Sequence, residues 1–338
     1  MMRTINRGVS RSLYWIRAFA CLSIMACHFL GSIPRVAFLG QIFNVGTGIF
    51  FLISGYLQAY HSKEKNYLDW LRNRLIKILI PYYIYCLFII IAFSSQINLR
   101  QILSAIFNLQ GFTHAYLPYS GHLWYLSIMV FCYVLTPLLE KITESKKRVC
   151  ILFGLVYIIA IPVATWGPNH RIRVLASYTH SVMLYLLGML SGKSDCLGKT
   201  TKPYRKLTVL MLATNVMRLG FIWLTDHVDN EDFNNFYTYY LSHISHAILA
   251  IWICITIYII TTKWEKLTLI YDKPIMFIAH LSYEIYIMHN ILLYDRWNMT
   301  KLTKVQPINA VVFLLCSIVL AFALSWISQL VRKPFQRR

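Results

Sequence analysis

The chain has 338 residues, of which 57% are hydrophobic and 14% charged, and its formal net charge is +20. Soluble proteins carry about 25% charged residues, so this composition excludes an ordinary soluble domain and indicates an integral membrane protein. Most of the positive charge falls in short loops between apolar runs, which argues against a basic nucleic-acid-binding domain and against a nucleic-acid partner.

Ten apolar runs follow one another along the chain, each near the ~20 residues that a helix needs to cross a bilayer. We therefore predict an all-α polytopic membrane protein of about ten transmembrane helices. The predicted spans are 12–30, 41–60, 76–95, 122–140, 149–166, 177–192, 207–225, 240–262, 274–294 and 308–331. The segment 97–110 is too polar to span and is expected at the membrane interface or in a loop. We expect residues 1–338 to form a single transmembrane domain.

The distribution of Lys and Arg predicts the orientation of these spans. With ten crossings, 24 of the 33 Lys and Arg residues fall on the side that holds both termini, and 7 fall on the opposite side. Cytoplasmic loops carry the excess of positive charge, so both termini are predicted to be cytoplasmic.

The first span contains Arg17 and His28, eleven residues apart. Eleven residues turn a helix through three turns plus about 20°, so both side chains share one face and lie about 16 Å apart along the axis. Ionisable residues inside a spanning helix are costly and are usually functional. The plainer interpretation is that Arg17 extends its guanidinium to the membrane surface and His28 caps the helix end.

The second span and the loop after it hold two further candidates. Gly46, Gly48 and Gly55 leave room for a neighbouring backbone or for a slender ligand, and both interpretations stay open. The cluster Arg72, Arg74 and Lys77 on the predicted cytoplasmic side suits a nucleotide phosphate, but it also suits anionic lipid headgroups.

Polar residues recur in two later spans. His122 and Trp124 begin the fourth span from the predicted outer side, which places His122 at about the level of His28. The ninth span carries Glu284, Tyr286 and His289, and an acidic residue within a span should face the bundle interior or a cavity.

Metal and disulfide chemistry is not indicated. The eight cysteines are scattered without paired spacing and are interpreted as small buried apolar residues. His243 and His246 lie three apart, but no third metal ligand accompanies them, so no metal is predicted. Arg218 lies within a span without a partner that the sequence reveals.

Several of these segments, in this order, resemble the acyltransferase-3 family of membrane O-acyltransferases. The resemblance rests on the spacing of Arg17 and His28 and on four further segments: 48–56, Arg72-Asn73-Arg74 with Pro81-Tyr82, His122 to Tyr125, and Ser282-Tyr283 to His289. The chain departs from the pattern at Ala18, where many members carry Gly.

The resemblance implies transfer of an acyl group, usually acetyl from acetyl-CoA, to hydroxyls of cell-envelope carbohydrates, with Arg17 and His28 as the essential pair. We therefore expect an enzyme of the bacterial inner membrane whose partners are membrane lipid, acetyl-CoA and a polysaccharide or lipid-linked glycan. Residues expected to bind acetyl-CoA are Arg17, Gly48, Phe51, Ser54, Tyr56, Arg72, Arg74 and Lys77. Residues expected on the acceptor side are His122, Trp124, Glu284, Tyr286 and His289.

Two other functions fit the same features. A transporter or flippase for a lipid-linked sugar would also use ten spans with internal charges, and it would not require acetyl-CoA. A non-catalytic subunit of a polysaccharide export complex is disfavoured, because an inert helix gains nothing from a buried Arg17 and His28. The acceptor sugar, the acyl group, the presence of a covalent intermediate and the oligomeric state do not follow from the sequence.

Overall fold

The computed structural model describes residues 7–61, 66–194 and 204–335, and within these ranges it contains helices and no strand. Cys196 and several of the basic residues counted for the orientation, such as Lys63 and Lys199, lie outside the described residues. The α-helices are α1 (Arg7–Gly31), α2 (Ala37–Ile42), α3 (Gly46–His61), α4 (Tyr67–Ala92), α5 (Leu99–Ile106), α6 (Gln110–Thr113), α7 (Trp124–Thr143), α8 (Lys146–Trp166), α9 (His170–Ser177), α10 (Thr179–Ser194), α11 (Tyr204–His227), α12 (Glu231–Phe236), α13 (Ser242–Lys263), α14 (Glu265–Thr268), α15 (Asp272–Met288) and α16 (Gln306–Arg332).

Ten segments of the described chain are long and apolar enough to cross a membrane, which confirms the predicted all-α, multi-pass architecture. They are Arg7–Gly31, Pro34–Ala59, Tyr67–Ala92, Gly121–Thr143, Lys146–Trp166, His170–Lys193, Tyr204–Thr225, Glu231–Lys263, Glu265–Leu293 and Gln306–Phe335. The orientation of the termini stays a prediction.

The segment predicted not to span, 97–110, contains the short helix α5 and ends at the first residue of α6. The Asn98 side chain accepts from the Gln101 amide, and the Gln101 side chain accepts from the Asn98 amide. This reciprocal capping box fixes the start of α5 by satisfying two amide groups that lack partners within the helix. Leu99, Leu103 and Ile106 remain exposed on one face of α5, as an interfacial helix requires.

The helices divide into two compact units. Unit 1 comprises Met1–Ile16, Thr47–Glu64 and Val134–Ile270, and unit 2 comprises Arg17–Gly46, Lys65–Tyr133 and Tyr271–Arg338. Helix α1 contributes residues to both units. The expectation of a single domain over 1–338 stays a prediction.

Unit 1 contains a close crossing of α3 and α10. A Cβ on Gly55 would lie 1.9 Å from the Tyr185 carbonyl oxygen, and a Cβ on Gly188 would lie 2.0 Å from that of Leu52. Glycine on both helices therefore lets the two backbones touch, which is the usual role of small residues between membrane helices.

In unit 2, a proline inside α4 lies next to two hydrogen bonds that join this helix to α15 and α16. Pro81 has no N–H, so the carbonyl of Lys77 loses its helical donor. The Arg332 side chain, at the end of α16, donates to that carbonyl at 2.7 Å. On the next carbonyl of α4, that of Ile78, the Tyr283 hydroxyl of α15 donates at 2.6 Å. The proline thus creates a place where α15 and α16 are tied to α4.

Candidate active site

Unit 2 brings three histidines from three elements together. His28 lies in the last turn of α1, His122 in the 3₁₀ turn Gly121–Leu123, and His289 in the 3₁₀ turn His289–Leu293 that follows α15. The ring centroids of His28 lie 6.3 Å from His122 and 5.1 Å from His289, and those of His122 and His289 lie 5.2 Å apart. His122 and His289 are buried, whereas His28 is partly exposed.

The hydrogen bonds of the two buried rings fix their tautomers. Nε2 of His122 lies 3.1 Å from the Ile287 carbonyl, and Nδ1 of His289 lies 3.1 Å from the Ile285 carbonyl. A carbonyl only accepts, so these nitrogens carry the protons and the opposite nitrogens are acceptors. Those acceptors, His122 Nδ1 and His289 Nε2, are buried without a donor from the described residues. These two nitrogens near His28 can therefore each accept a hydrogen bond from water or from a substrate hydroxyl.

Tyrosines surround the His122 end of this cluster. The Tyr286 ring lies 5.3 Å from His122, and its hydroxyl donates to the His122 carbonyl. The ring centroid of Tyr85 lies 6.3 Å from that of His122, and the centroids of Tyr125 and Tyr286 lie 5.2 Å apart. Tyr286 thus clamps the backbone of His122. Tyr85 is not among the residues predicted from the sequence, and its place one turn after Pro81-Tyr82 is the signal that marks it.

The other residues predicted on the acceptor side lie nearby in sequence but differ in setting. Trp124 is half-buried, and its ring contacts Tyr125 at 6.4 Å. Glu284 is buried on α15. Asn290, which the sequence reasoning does not single out, is buried next to His289 and donates from Nδ2 to the Tyr119 carbonyl at 2.9 Å. The polar doublet His289-Asn290 inside an apolar run is the signal that marks it.

Arg17 lies on α1 about three turns before His28 and is partly buried. Its Nη2 donates to Ser282 Oγ on α15 at 3.4 Å. Ser282 is fully buried and donates in turn to the Ala279 carbonyl at 2.8 Å. The motif residues Arg17 and Ser282, distant in sequence, are therefore in contact.

The predicted phosphate-binding cluster lies on α4. Arg72 and Lys77 are exposed, and Arg74 is half-buried with its guanidinium carbon 5.9 Å from the centre of the Trp70 ring. Stacking on an aromatic ring orients a guanidinium while leaving its edge free to bind an oxyanion. The geometry is compatible both with a nucleotide phosphate and with lipid headgroups.

The remaining predicted cofactor-binding residues belong to unit 1. Phe51 is fully buried, Ser54 is half-buried, and Gly48 faces Leu184, whose Cδ1 would lie 3.1 Å from an added Cβ. Tyr56 lines an apolar cavity of about 170 Å³. The other lining residues are Leu13, Ile16, Leu52, Ile53, Leu187, Gly188, Ser191, Ile251, Cys254 and Ile255.

The glycines of the second span are explained by helix packing at two of three positions. Within unit 2, a Cβ on Gly46 would lie 2.2 Å from the Ala20 carbonyl oxygen, and Gly55 lies at the α3–α10 crossing of unit 1. The space beside these two glycines is filled by protein backbone, and a ligand passing directly over them is ruled out.

Four polar side chains outside this site lie together in two pairs within unit 1. Nη1 of Arg218 lies 2.8 Å from Nε2 of His246, and the ring of His243 lies 5.6 Å from that of His180. Among the described residues, no three His, Cys, Asp or Glu side chains are arranged to hold a metal ion.

The family model for an acyltransferase domain, acyltransferase-3, matches residues 10–329, nearly the whole chain. No curated protein and no solved structure matches the chain. The matched range includes eight of the ten candidate spans in full and most of the first and the last. The chain therefore belongs to the acyltransferase-3 family and is a multi-pass membrane acyltransferase.

Proposed function

We propose that the protein is an O-acetyltransferase of the bacterial inner membrane, which moves an acetyl group from cytoplasmic acetyl-CoA to a hydroxyl of a cell-envelope polysaccharide or lipid-linked glycan. The observation that carries this proposal is the cluster of His28 with the buried acceptor nitrogens of His122 and His289. A hydroxyl-bearing acceptor supplies the donors that those nitrogens lack.

His28 acts as the general base in this proposal. It takes the proton of the acceptor hydroxyl while the hydroxyl oxygen bonds to the thioester carbonyl carbon. The carbon–sulfur bond then breaks, and the proton passes to the CoA sulfur, which leaves an ester and free CoA. His122 and His289 hold neighbouring hydroxyls of the acceptor, while Tyr286 holds the His122 backbone in place.

Acetyl-CoA is proposed to bind through its phosphates to Arg72, Arg74 and Lys77, and Arg17 holds a phosphate or the pantetheine end. A guanidinium suits this task because its fork of donors matches oxyanion geometry. Within unit 1, the proposed donor-binding residues Gly48, Phe51, Ser54 and Tyr56 share helix α3, and Tyr56 lines the apolar cavity. Trp124 and Glu284 are proposed to contact the acceptor.

The test uses purified protein in proteoliposomes, with acetyl-CoA and envelope glycan, and measures CoA release and the glycan mass. Wild-type protein should release CoA and add one acetyl mass to the glycan. His28→Ala should lower the rate by about 10²–10⁴-fold, the usual contribution of a general base. Cys27→Ala, a half-buried neighbour on the same helix, is the matched control and should retain activity.

Two outcomes would contradict this proposal. Near-normal acetylation by His28→Ala would remove the general base. Glycan movement across the membrane without any CoA release would instead favour a transporter or flippase for a lipid-linked sugar.

A further inference from the structure

Asn290 is a buried amide whose orientation the surrounding backbone determines. Its Nδ2 donates to the Tyr119 carbonyl at 2.9 Å. Because a carbonyl accepts only, the end of the amide that faces Tyr119 is the NH₂ group, and the other end is the oxygen Oδ1. Oδ1 is buried and receives no hydrogen bond of ordinary geometry from the described residues. The Asn290 side chain lies next to the imidazole of His28.

The Tyr119 carbonyl is a fixed anchor for this amide. Tyr119 has φ of 58°, in the left-handed region that an aromatic residue seldom adopts. Its hydroxyl donates to the Asp295 carboxylate, and its ring packs against Phe93 and Tyr294 at 4.9 and 5.2 Å. These contacts hold a strained backbone conformation, and strain of this kind is often found beside functional sites.

We propose that Asn290 is a positioning residue for His28: in the reactive state, its Oδ1 accepts a hydrogen bond from the protonated nitrogen of the His28 ring. This bond fixes the tautomer and the ring angle, so that the opposite nitrogen presents its lone pair to the acceptor hydroxyl. Rotation of the His28 ring about its Cβ–Cγ bond completes the bond when the hydroxyl arrives. The inference rests on the proposed role of His28 as base.

The surroundings of His28 leave this task to Asn290. Among the described residues, the titratable rings that pack against His28 are those of His122 and His289, and the protonated nitrogen of each donates to a backbone carbonyl. The unprotonated nitrogens of both rings are acceptors and require a donor, as the substrate-facing nitrogen of His28 does. Asn290 differs because it brings a carbonyl oxygen to the ring.

The test compares Asn290→Leu, Asn290→Asp and Asn215→Leu in proteoliposomes. Asn215 is a half-buried asparagine whose amide bonds to Met211 in its own helix, so Asn215→Leu is the matched control. Asn290→Leu should lower kcat about 10–100-fold, as loss of an orienting partner does, and leave the KM for acetyl-CoA within about twofold. Asn290→Asp keeps an oxygen beside His28 and should retain activity. Its carboxylate should move the acidic limb of the pH–rate profile to higher pH, because a neighbouring negative charge favours the protonated imidazole.

The outcomes separate this inference from the proposed function. If wild-type protein is active and Asn290→Leu keeps its kcat, or Asn290→Asp keeps the wild-type pH profile, the positioning role is wrong while the proposed function stands. If Asn290→Leu does not fold, the pH profile of Asn290→Asp decides. If wild-type protein releases no CoA, or His28→Ala is as active as wild type, the proposed function fails and this inference fails with it.

Discussion

A guanidinium in a spanning helix needs a polar partner, and Arg17 has one in the buried hydroxyl of Ser282. At 3.4 Å this contact is long for a hydrogen bond to a charged group. We propose that this guanidinium binds an oxyanion of the donor substrate through its fork of donors.

Replacing Arg17 with Lys should raise the KM for acetyl-CoA about 10- to 100-fold, because a hydrogen bond to a charged group is worth roughly 1.5–3 kcal/mol and Lys cannot reproduce the forked geometry. Steady-state kinetics with purified protein measure the effect. Phe19→Ala, an exposed position on the same helix, is the control and should leave the KM unchanged. An unchanged KM in Arg17→Lys would show that Arg17 does not hold the donor.

At this scale the sequence predicts candidate residues but not the side chains and carbonyls that they contact. The helical spacing places Arg17 and His28 on one face of α1, but the partners of His28 come from turns far along the chain. The sequence signals that mark Tyr85 and Asn290 are weak, because a tyrosine or an asparagine in an apolar run also occurs for packing alone. Only tertiary contact separates the two cases.

Among the elements, the α3–α10 crossing leaves the least room for an added Cβ, at Gly55. Gly55→Ala would place a methyl group 1.9 Å from a backbone oxygen, so the helices must move apart. Overpacking of this kind costs about 1–3 kcal/mol.

Thermal unfolding in detergent should therefore show a lower midpoint for Gly55→Ala. Gly154→Ala and Gly220→Ala are matched controls, since an added Cβ at either position meets no atom within 4 Å. They should be neutral or stabilising by about 0.5–1 kcal/mol, because Ala favours a helix over Gly. Equal midpoints for Gly55→Ala and the controls would show that the crossing is not tight.

The elements themselves follow from composition, whereas their interruptions do not. Apolar length predicts the ten spans, and Asn98 with Gln101 starts α5 by local capping that the sequence contains. The span predicted at 177–192 instead runs over His170–Lys193, with a break between α9 and α10 at Tyr178. The use of Pro81 to free a carbonyl for Arg332 depends on a helix far away in the chain, so no local pattern predicts it.

For the whole molecule, the asymmetry of charge is the observation with the widest consequence. If both termini face the cytoplasm, Arg72, Arg74 and Lys77 meet cytoplasmic acetyl-CoA, while His28 and His122 lie toward the outer side where envelope glycans are found. The orientation predicted from the charge count is therefore the one in which the proposed donor reaches the chain from the cytoplasm and the proposed acceptor reaches it from the outer side.

Labelling of single introduced cysteines with a membrane-impermeant maleimide tests this orientation. Ser95→Cys and Leu302→Cys lie on the predicted outer side, and Glu144→Cys and Glu265→Cys lie on the predicted cytoplasmic side; all four positions are exposed, and none removes a Lys or Arg. Intact cells should label the first pair above the parent chain, and lysed cells should label all four. The reverse pattern would place the termini outside and would separate the basic cluster from its proposed cytoplasmic donor.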